Sequence, residues 1–576
     1  MKKFPWIRLP KKTDPETPLE PPVWFGNTSN GEYFHVQTKH EAKLRKEILT
    51  RADEQARYLG MDRRDFLASS MGLFATMAAI NQFGCSSDDG AAAKASGAVG
   101  DGGPLFGFGD GPYVVPPGGT CDPAHEIALS SSEAGADGGV AEFIMDVQTH
   151  SFDNGEWRTK NIVYPTFLNL IANCSDETNK LDCFDQNHYA ELMFVDSDTT
   201  MSVITSWPAA TCFDERKLLG NDAIACGLPL SNIGMRELRD WLNSKVASQR
   251  MINQVQVMPN DMLEHQLEGM YAAVQDPTWR TGSWKCYPAW TSDTYPDANG
   301  YAQGYFLTDP VGIAFVEAGL KLGVPNFAIH KGLPIPGFDV EHNKPTDIGP
   351  IAKMFPTANF VIYHSGINAG TGGTALAALS PTPTEKVPYD PKDPAPLGVN
   401  MLIRSLFDAG LLTDAGDGGV IRTPNLNVYA EMGSAWSQVM RDPNQAQHYI
   451  GKLLKYFGPD NIVWGTDCIL YGSPQVQIEM FRSFQITAEY QDTYGYPAIT
   501  PHMKRKIFGL NAARIYHIDT EAKRCIATQD TFAMIKRELD ETIGNRRWTG
   551  KPPLGPRTYT EFVDHAREEG RKGLPG

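Results

Sequence analysis

The chain carries no CxxC pair: its nine cysteines are scattered, and that scatter excludes a zinc ribbon. It shows no internal repeat, heptad register or collagen-like glycine period, which excludes solenoids, coiled coils and triple helices. No Lys/Arg stripe with interleaved aromatic residues crosses the body, and the formal net charge of -16 would repel a polyphosphate backbone. Nucleic acid is therefore not an expected partner. The uncharged stretch ASSMGLFATMAAI, residues 68–80, is too short and too rich in Ala, Ser and Gly to span a bilayer, so no stable transmembrane span is expected in the mature chain. What is present is the composition of a soluble globular protein: 576 residues, 41% hydrophobic and 21% charged, with 54 Gly and 41 Pro to supply turns.

That short apolar stretch has the length of a signal h-region and directly follows Arg63-Arg64-Asp65-Phe66-Leu67. The arrangement resembles a twin-arginine export signal, which implies an exported or periplasmic protein that meets the twin-arginine machinery. On this reading either the region before the arginines is long or translation starts at Met61. The Gly- and Ser-rich residues behind it read as a cleavage region or linker, and soluble release is favoured over lipidation at Cys85 because Gln82 and Phe83 fit a lipobox poorly. Residues 1–60 are then an N-terminal extension and 61–100 the signal and linker. Cys174 with Cys183, and Cys212 with Cys226, are close enough to bridge in an oxidising compartment, or equally to remain separate thiols.

From residue 141 onward, short Val/Ile/Phe/Tyr-rich runs bounded by polar, Pro or Gly residues predict strands at 143–150, 201–207, 253–259, 283–290, 326–332, 359–366, 425–433 and 461–468. Helix-like stretches precede the fifth, sixth and eighth of them. Strands alternating with amphipathic helices predict an α/β fold with a parallel sheet. Polar residues at several strand ends favour a (β/α)8 TIM barrel over an open sheet, with the barrel at 141–518. Residues 368–420 form a long loop insertion with one apolar run that could be helical, and read as a lid, a partner surface or a disordered segment. The tail 519–576 carries a plausible helix around 531–544 and is expected to wrap the outside.

Four of these runs end in a metal-capable or proton-transferring side chain: IMDVQTH on His150, FAIH on His330, FVIYH on His364 and IVWGTD on Asp467. A lone histidine on an apolar run is more often a buried core residue. Three histidines and an aspartate, all at strand ends, are better explained as one site. Imidazole nitrogen and carboxylate oxygen suit a divalent metal that leaves a position for water. His150, His330 and Asp467 form such a set, with His364 beside it as an acid/base or electrophilic group. Gln148 shares the strand face of His150 by period-two spacing; its amide oxygen is a weak donor to zinc and suits harder cations such as manganese. Trp207, Trp284, Trp290, Tyr363 and Trp464 near strand ends would suit a flat ligand, or pack the core.

The block order Asp146-x-Gln148-x-His150, His330-Lys-Gly-Leu-Pro, Tyr363-His-Ser-Gly and Gly465-Thr-Asp467, followed by IFGLNAARIY at 507–516, resembles the amidohydrolase superfamily in its amidohydrolase-related branch. That branch holds metal-dependent hydrolases and nonoxidative decarboxylases such as the aminocarboxymuconate-semialdehyde and resorcylate decarboxylases. The resemblance covers about 141–518. It implies a metal-dependent hydrolase-type TIM barrel with one divalent ion, zinc or manganese, on His150, His330 and Asp467, and a catalytic role for His364 and Asp467. Gln148 stands where the family has the first histidine of an H-x-H pair and is carried as a fourth ligand candidate. Lys285 raises a second metal, bridged by a carboxylated lysine, though the mononuclear arrangement is favoured. Glu431 and Asp309 are mouth-lining candidates, Asp146 an interior one, and Asn511 and Arg514 are expected to tie the closing helix to the barrel. The expected function is hydrolysis of a small organic, aromatic or carboxylated substrate; the alternatives are nonoxidative decarboxylation or, less favoured, a non-catalytic binding barrel. A homo-oligomer stays open.

Overall fold

Eight of the predicted strand positions become parallel strands, and the residues that make them explain why. The computed structural model describes isolated helical positions between 46 and 57, then 142–152, 184–206, 230–246, 249–335, 338–368, 385–416, 418–520, 530–542, 556 and 559–572. The twin-arginine-like segment, Cys85, Cys174, Cys183, Cys212, Cys226 and Trp207 lie outside the described residues. The chain divides into two units, Met1–Gly111 and Pro112–Gly576. In the first, the described residues are helical, with Ile48, Ala52 and Ala56 buried. The rest of the account concerns the second.

Its parallel strands are β1 (Met145–Thr149), β2 (Met201–Ile204), β3 (Met251–Asn253), β4 (Val255–Gln256), β5 (Trp284–Cys286), β6 (Asn326–His330), β7 (Asn359–Tyr363), β8 (Val428–Glu431) and β9 (Ile462–Val463). They form two parallel sheets, one ordered β1-β2-β3 and the other β9-β8-β7-β6-β5-β4. Only Gln254 separates β3 from β4. Its N–H donates to Ile204 O at 3.2 Å while the next N–H, of Val255, donates to Ser283 O at 3.1 Å, so a single strand serves both sheets. At the other end, the Val147 N–H donates to Trp464 O at 3.1 Å and the Asp467 N–H to Gln148 O at 3.0 Å.

Alternate side chains of each strand go to two different apolar clusters, as expected of strands buried on both faces. Phe327, Ile329, Phe360, Ile362, Val428, Ala430 and Ile462 pack with the helices. Val147, Val203, Ala328, Val361, Tyr363, Tyr429 and Val463 pack with one another on the opposite face. The helices follow their start signals. Helix α1 (Asn232–Lys245) is capped by Ser231 Oγ, which accepts the Gly234 N–H at 2.9 Å. Helix α2 (Pro443–Tyr456) starts with a proline at its first turn behind the cap Asp442 and ends with Lys455 near its carbonyls.

The 368–420 region is more ordered than a plain loop where it is described. Asn368 and Gly398 exchange backbone hydrogen bonds of 3.0 and 2.8 Å, a helix spans Asn400–Asp408, and Leu412–Asp414 pairs antiparallel with Val420–Arg422. The expected tail helix is present at Thr531–Thr542, followed by Tyr559–Lys572, whose Phe562 is fully buried against Trp436 and Phe484. Among the described residues no helix is long and apolar enough to cross a membrane.

Candidate active site

The ends of β1, β6, β7, β8 and β9 bring Gln148, His150, His330, His364, Glu431 and Asp467 to one place. Met145 and Val147 of β1 pack in the strand-side cluster, whereas Gln148 and His150 reach Asp467. A pairing irregularity with β2 between Asp146 and Thr149 accompanies this change of face, as strand bulges beside functional sites do. His364 and Ser365 follow β7 with φ of 56° and 52°, and Asp467 follows β9 with φ of 61°. Left-handed backbone at non-glycine residues costs roughly 1–3 kcal/mol each and persists where the surroundings impose it.

Asp467 is the hub. Its Oδ1 accepts from His150 Nε2 at 2.8 Å and from Gln148 Nε2 at 2.8 Å, and its Oδ2 accepts from Ser434 Oγ. Burial pushes this carboxyl up, but the His150 hydrogen bond and the His364 and His150 charges outweigh it, holding the group well below the usual carboxylate range. His364 is oriented by the Ser434 N–H, which donates to its Nδ1 at 3.1 Å, while its Nε2 lies 3.4 Å from Gln148 Nε2. A neutral ring that accepts at Nδ1 carries its proton on Nε2. Burial lowers His364 to about 4, against the pull of the Asp467 charge, so the ring is neutral at neutral pH.

His330 stands beside this group, its ring centroid 4.9 Å from that of His364. Its Nε2–H donates to Leu333 O at 2.8 Å, which makes Nδ1 the lone-pair atom. Burial, then the His364 and Lys285 charges, hold His330 well below the ordinary histidine range. Tyr287 and Phe338 pack on its ring at 5.2 and 5.3 Å.

Glu431, closing β8, accepts the His364 N–H at 2.8 Å through Oε2, while its Oε1 is buried with no hydrogen-bond partner. Burial, which outweighs that backbone bond, pushes it well above the usual carboxylate range. Lys285, the candidate bridge for a second metal, is not paired with a carboxylate. Its buried ammonium nitrogen has no hydrogen-bond partner and sits 3.7 Å over the Tyr363 ring and 4.2 Å over the Tyr287 ring. Burial lowers it to about 7.

Other expectations fall elsewhere. Asp309 is not at the site: it accepts the Phe306 N–H at 2.9 Å at the start of a helix. Trp284 and Trp464 are core residues, the former donating to Val324 O and the latter packed on Phe481 and Phe508. Asp146 is interior, accepting from Thr466, the neighbour of Asp467. Asn511 does tie the closing helix, donating to Pro459 O and Ile462 O at 2.7 Å each, and Arg514 donates to Asp460 O.

Sequence reasoning missed Ser434, Tyr471 and Gly433. Tyr471 OH lies 2.8 Å from Ser434 Oγ, completing the support of Asp467. A Cβ on Gly433 would meet Gln148 Oε1, His364 Nδ1 and Glu431 Oε2 at 2.7–2.8 Å, so this glycine lies at the centre of the site. The signal that could have found it is the small pair Gly433-Ser434 directly behind a strand end.

A family model described as Amidohydrolase matches residues 425–518, the stretch that holds Glu431, Ser434 and Asp467. No curated protein matches the sequence. Among solved structures, the chain resembles 5-carboxyvanillate decarboxylase from Sphingomonas paucimobilis at 12% identity and TM-score 0.38, covering 66% of this chain and 100% of that one. It also resembles 2,6-dihydroxybenzoate decarboxylase from Rhizobium at 13% identity and TM-score 0.35, covering 65% and 99%. A probable 2-pyrone-4,6-dicarboxylic acid hydrolase from Acinetobacter baumannii matches at 10% identity and TM-score 0.34, covering 65% and 99%.

Proposed function

We propose that this chain is a cation-dependent hydrolase of the amidohydrolase type, built on a closed (β/α)8 barrel and acting on a small organic substrate. Closure is supported by the shared strand through Gln254 and by the hydrogen bonds that join the β1 segment to Trp464, Asp467 and Cys468. The observation that carries the function is the convergence of Gln148, His150, His364 and Asp467, with strained backbone at the last two. The donor chemistry fits a divalent ion: an imidazole, a carboxylate and an amide within contact, a buried amide oxygen with no partner, and His330 with Nδ1 left as its lone-pair atom. His150, Asp467, His330 and Gln148 would hold it, and when bound it would polarise a substrate oxygen and acidify water. A second ion bridged by Lys285 finds less support, because that amine sits against two tyrosine rings.

The chain's own residues do the rest. Asp467 stays ionised and fixes His150. Ser434 holds the proton of His364 on Nε2, so the ring presents an N–H donor to a developing anion or a leaving group. Glu431, its carboxyl pushed up by burial, stands beside it and accepts the His364 backbone N–H. That His364 tautomer also favours a second reading, nonoxidative decarboxylation, in which the ring delivers its proton to carbon and the partnerless Lys285 meets a substrate carboxylate. Ester, lactone, amide and aromatic-acid panels, run before and after chelation, separate the two. Turnover untouched by chelation would refute the cation-dependent reading. We further propose export: replacing Arg63 and Arg64 by lysine should trap the protein in the cytoplasm, and unchanged fractionation would refute it.

A further inference from the structure

We propose that Arg441 is an anion anchor: together with Gln438 and Tyr471 it takes a carboxylate of the substrate that lies away from the reacting bond. This anchor rests on the cation-dependent reading above, which places the reacting centre. The helix that follows β8, Gly433–Val439, has two faces. Ala435, Trp436, Val439 and Met440 pack into the helix-side apolar cluster. Ser434, Ser437, Gln438 and Arg441 stand at the complementary spacing i, i+3, i+4 and i+7, which puts them on one face. The Arg441 N–H donates to Gln438 O at 3.4 Å, so the winding carries on past Val439 to reach it.

This polar face begins at the reacting centre and leads away from it. Ser434 Oγ donates to Asp467, and Tyr471 OH lies 2.8 Å from the same Ser434 Oγ. Burial raises the Tyr471 hydroxyl, while its hydrogen bonds with Ser434 and Ser437 and the Arg441 charge act against that rise. The guanidinium is therefore within electrostatic reach of the hydroxyl that supports Asp467. It brings donors that the protein leaves unused. Arg441 Nε and Gln438 Nε2 are both buried without hydrogen-bond partners, and among the described residues no carboxylate pairs with the guanidinium. The chain holds 68 Asp and Glu, yet none is supplied here. Buried donors without acceptors cost free energy, and an acid group from outside would satisfy both. Seven residues of helical rise, about 10 Å, separate Ser434 from Arg441, and helical side chains lean back toward the N-terminus. The anion would then sit roughly 6–10 Å from Asp467. One guanidinium balances a carboxylate and matches its two oxygens edge-on, whereas a doubly charged phosphate monoester would be left half balanced. The substrate class is thus a small acid whose carboxylate is held off from the reacting bond by a spacer of that length.

The test is calorimetric titration of the full chain, loaded with Mn2+, for wild type, Arg441→Gln and Arg441→Lys. The probes are the straight-chain dicarboxylates from succinate to suberate, each beside the monocarboxylate of the same chain length. In wild type one dicarboxylate should bind at least about tenfold more tightly than its monocarboxylate. Arg441→Gln should lose that preference, and Arg441→Lys, which keeps the charge without the planar fork, should retain only part of it. No preference at any length, or a preference that survives in Arg441→Gln, overturns the inference. Tighter wild-type binding of the phosphono acid of matching length overturns carboxylate as the ligand. If Arg441→Gln does not fold, Arg441→Lys decides: a preference equal to that of wild type overturns the inference. Turnover untouched by chelation refutes the cation-dependent reading instead, and is a separate readout from the comparison of diacid with monoacid, which is read from binding alone.

Discussion

Replacing Gly433 by alanine should disturb the candidate site directly, and the structure gives the size of the effect. Gly433 has φ of +36°, and a Cβ there would lie 2.7 Å from Gln148 Oε1, 2.7 Å from His364 Nδ1 and 2.8 Å from Glu431 Oε2. Real Cβ atoms essentially never come within 3.0 Å of a neighbour. All three neighbours are buried and held by bonds to Asp467, Ser434 or the His364 backbone, so none can retreat without losing a partner. A left-handed alanine costs about 1–2 kcal/mol. Overpacking a tight interior adds about 1–3 kcal/mol, for a total of roughly 2–5 kcal/mol. Gly472 is the control: its φ is +76°, yet a Cβ there would meet nothing within 4 Å. Gly472→Ala should therefore show the backbone part alone. Urea unfolding of both variants isolates the steric part as their difference, and a manganese titration should show it falling on the site. Equal destabilisation of the two, with cation binding intact in Gly433→Ala, would refute the placement of Gly433.

Asp530 caps the helix Thr531–Thr542 and forms a buried two-point pair with Arg250, whose guanidinium packs over Phe194 and Phe532. Asp530→Ala should cost about 3–5 kcal/mol by leaving that cation without its carboxylate, read as a shifted denaturation midpoint; a shift under about 1 kcal/mol would argue against it. His448, bonded to Tyr496 OH at 2.9 Å, is lowered to about 4, first by burial and then by Lys452. The unfolded chain takes up this proton first, so stability should fall as pH drops from about 6.5 toward 4, and His448→Phe should flatten that limb. Identical pH slopes in the two proteins would remove His448 from the account. Phe562→Ala should destabilise by about 3–5 kcal/mol, because the ring is fully buried against Trp436, Phe484 and Tyr559. A thermal melt unchanged by that substitution would mean the last helix does not hold to the rest.

The strands were legible because each is apolar on both faces, and every predicted position acquired its strand within a few residues. His150, His330, His364 and Asp467 were legible because a polar side chain ending an apolar run has no other cheap place to go. Other residues were less legible. For Trp284 and Trp464, where a flat ligand and core packing were both open, parity sends them to the helix side, and single-run composition does not reveal parity. Lys285, carried as the bridge for a second metal, is aimed by the pleat at Tyr363 and Tyr287. Ser434 and Gly433 lie past the strand, where no periodicity reports on them, and their importance comes from contacts across about 30 to 290 residues of sequence.

Local rules fail together at this site. His364, Ser365 and Asp467 occupy left-handed backbone without being glycine; β1 loses its register with β2; Gln148, Glu431 and Lys285 each bury a polar atom that has no partner. Each failure alone costs roughly 1–3 kcal/mol and would be selected against in a barrel that served only to stand up. Sequences otherwise consistent from propensity to packing break such rules where function needs the resulting geometry. The reading of a catalytically retired barrel is weakened by that clustering more than by the identity of any one residue. A retired site would be free to relax His364 and Asp467 into ordinary backbone and to fill the place beside Gln148 with carbon. Instead His364 and Asp467 are held together through Ser434, and Gln148 Oε1 and the Glu431 carboxyl lie around Gly433 beside them.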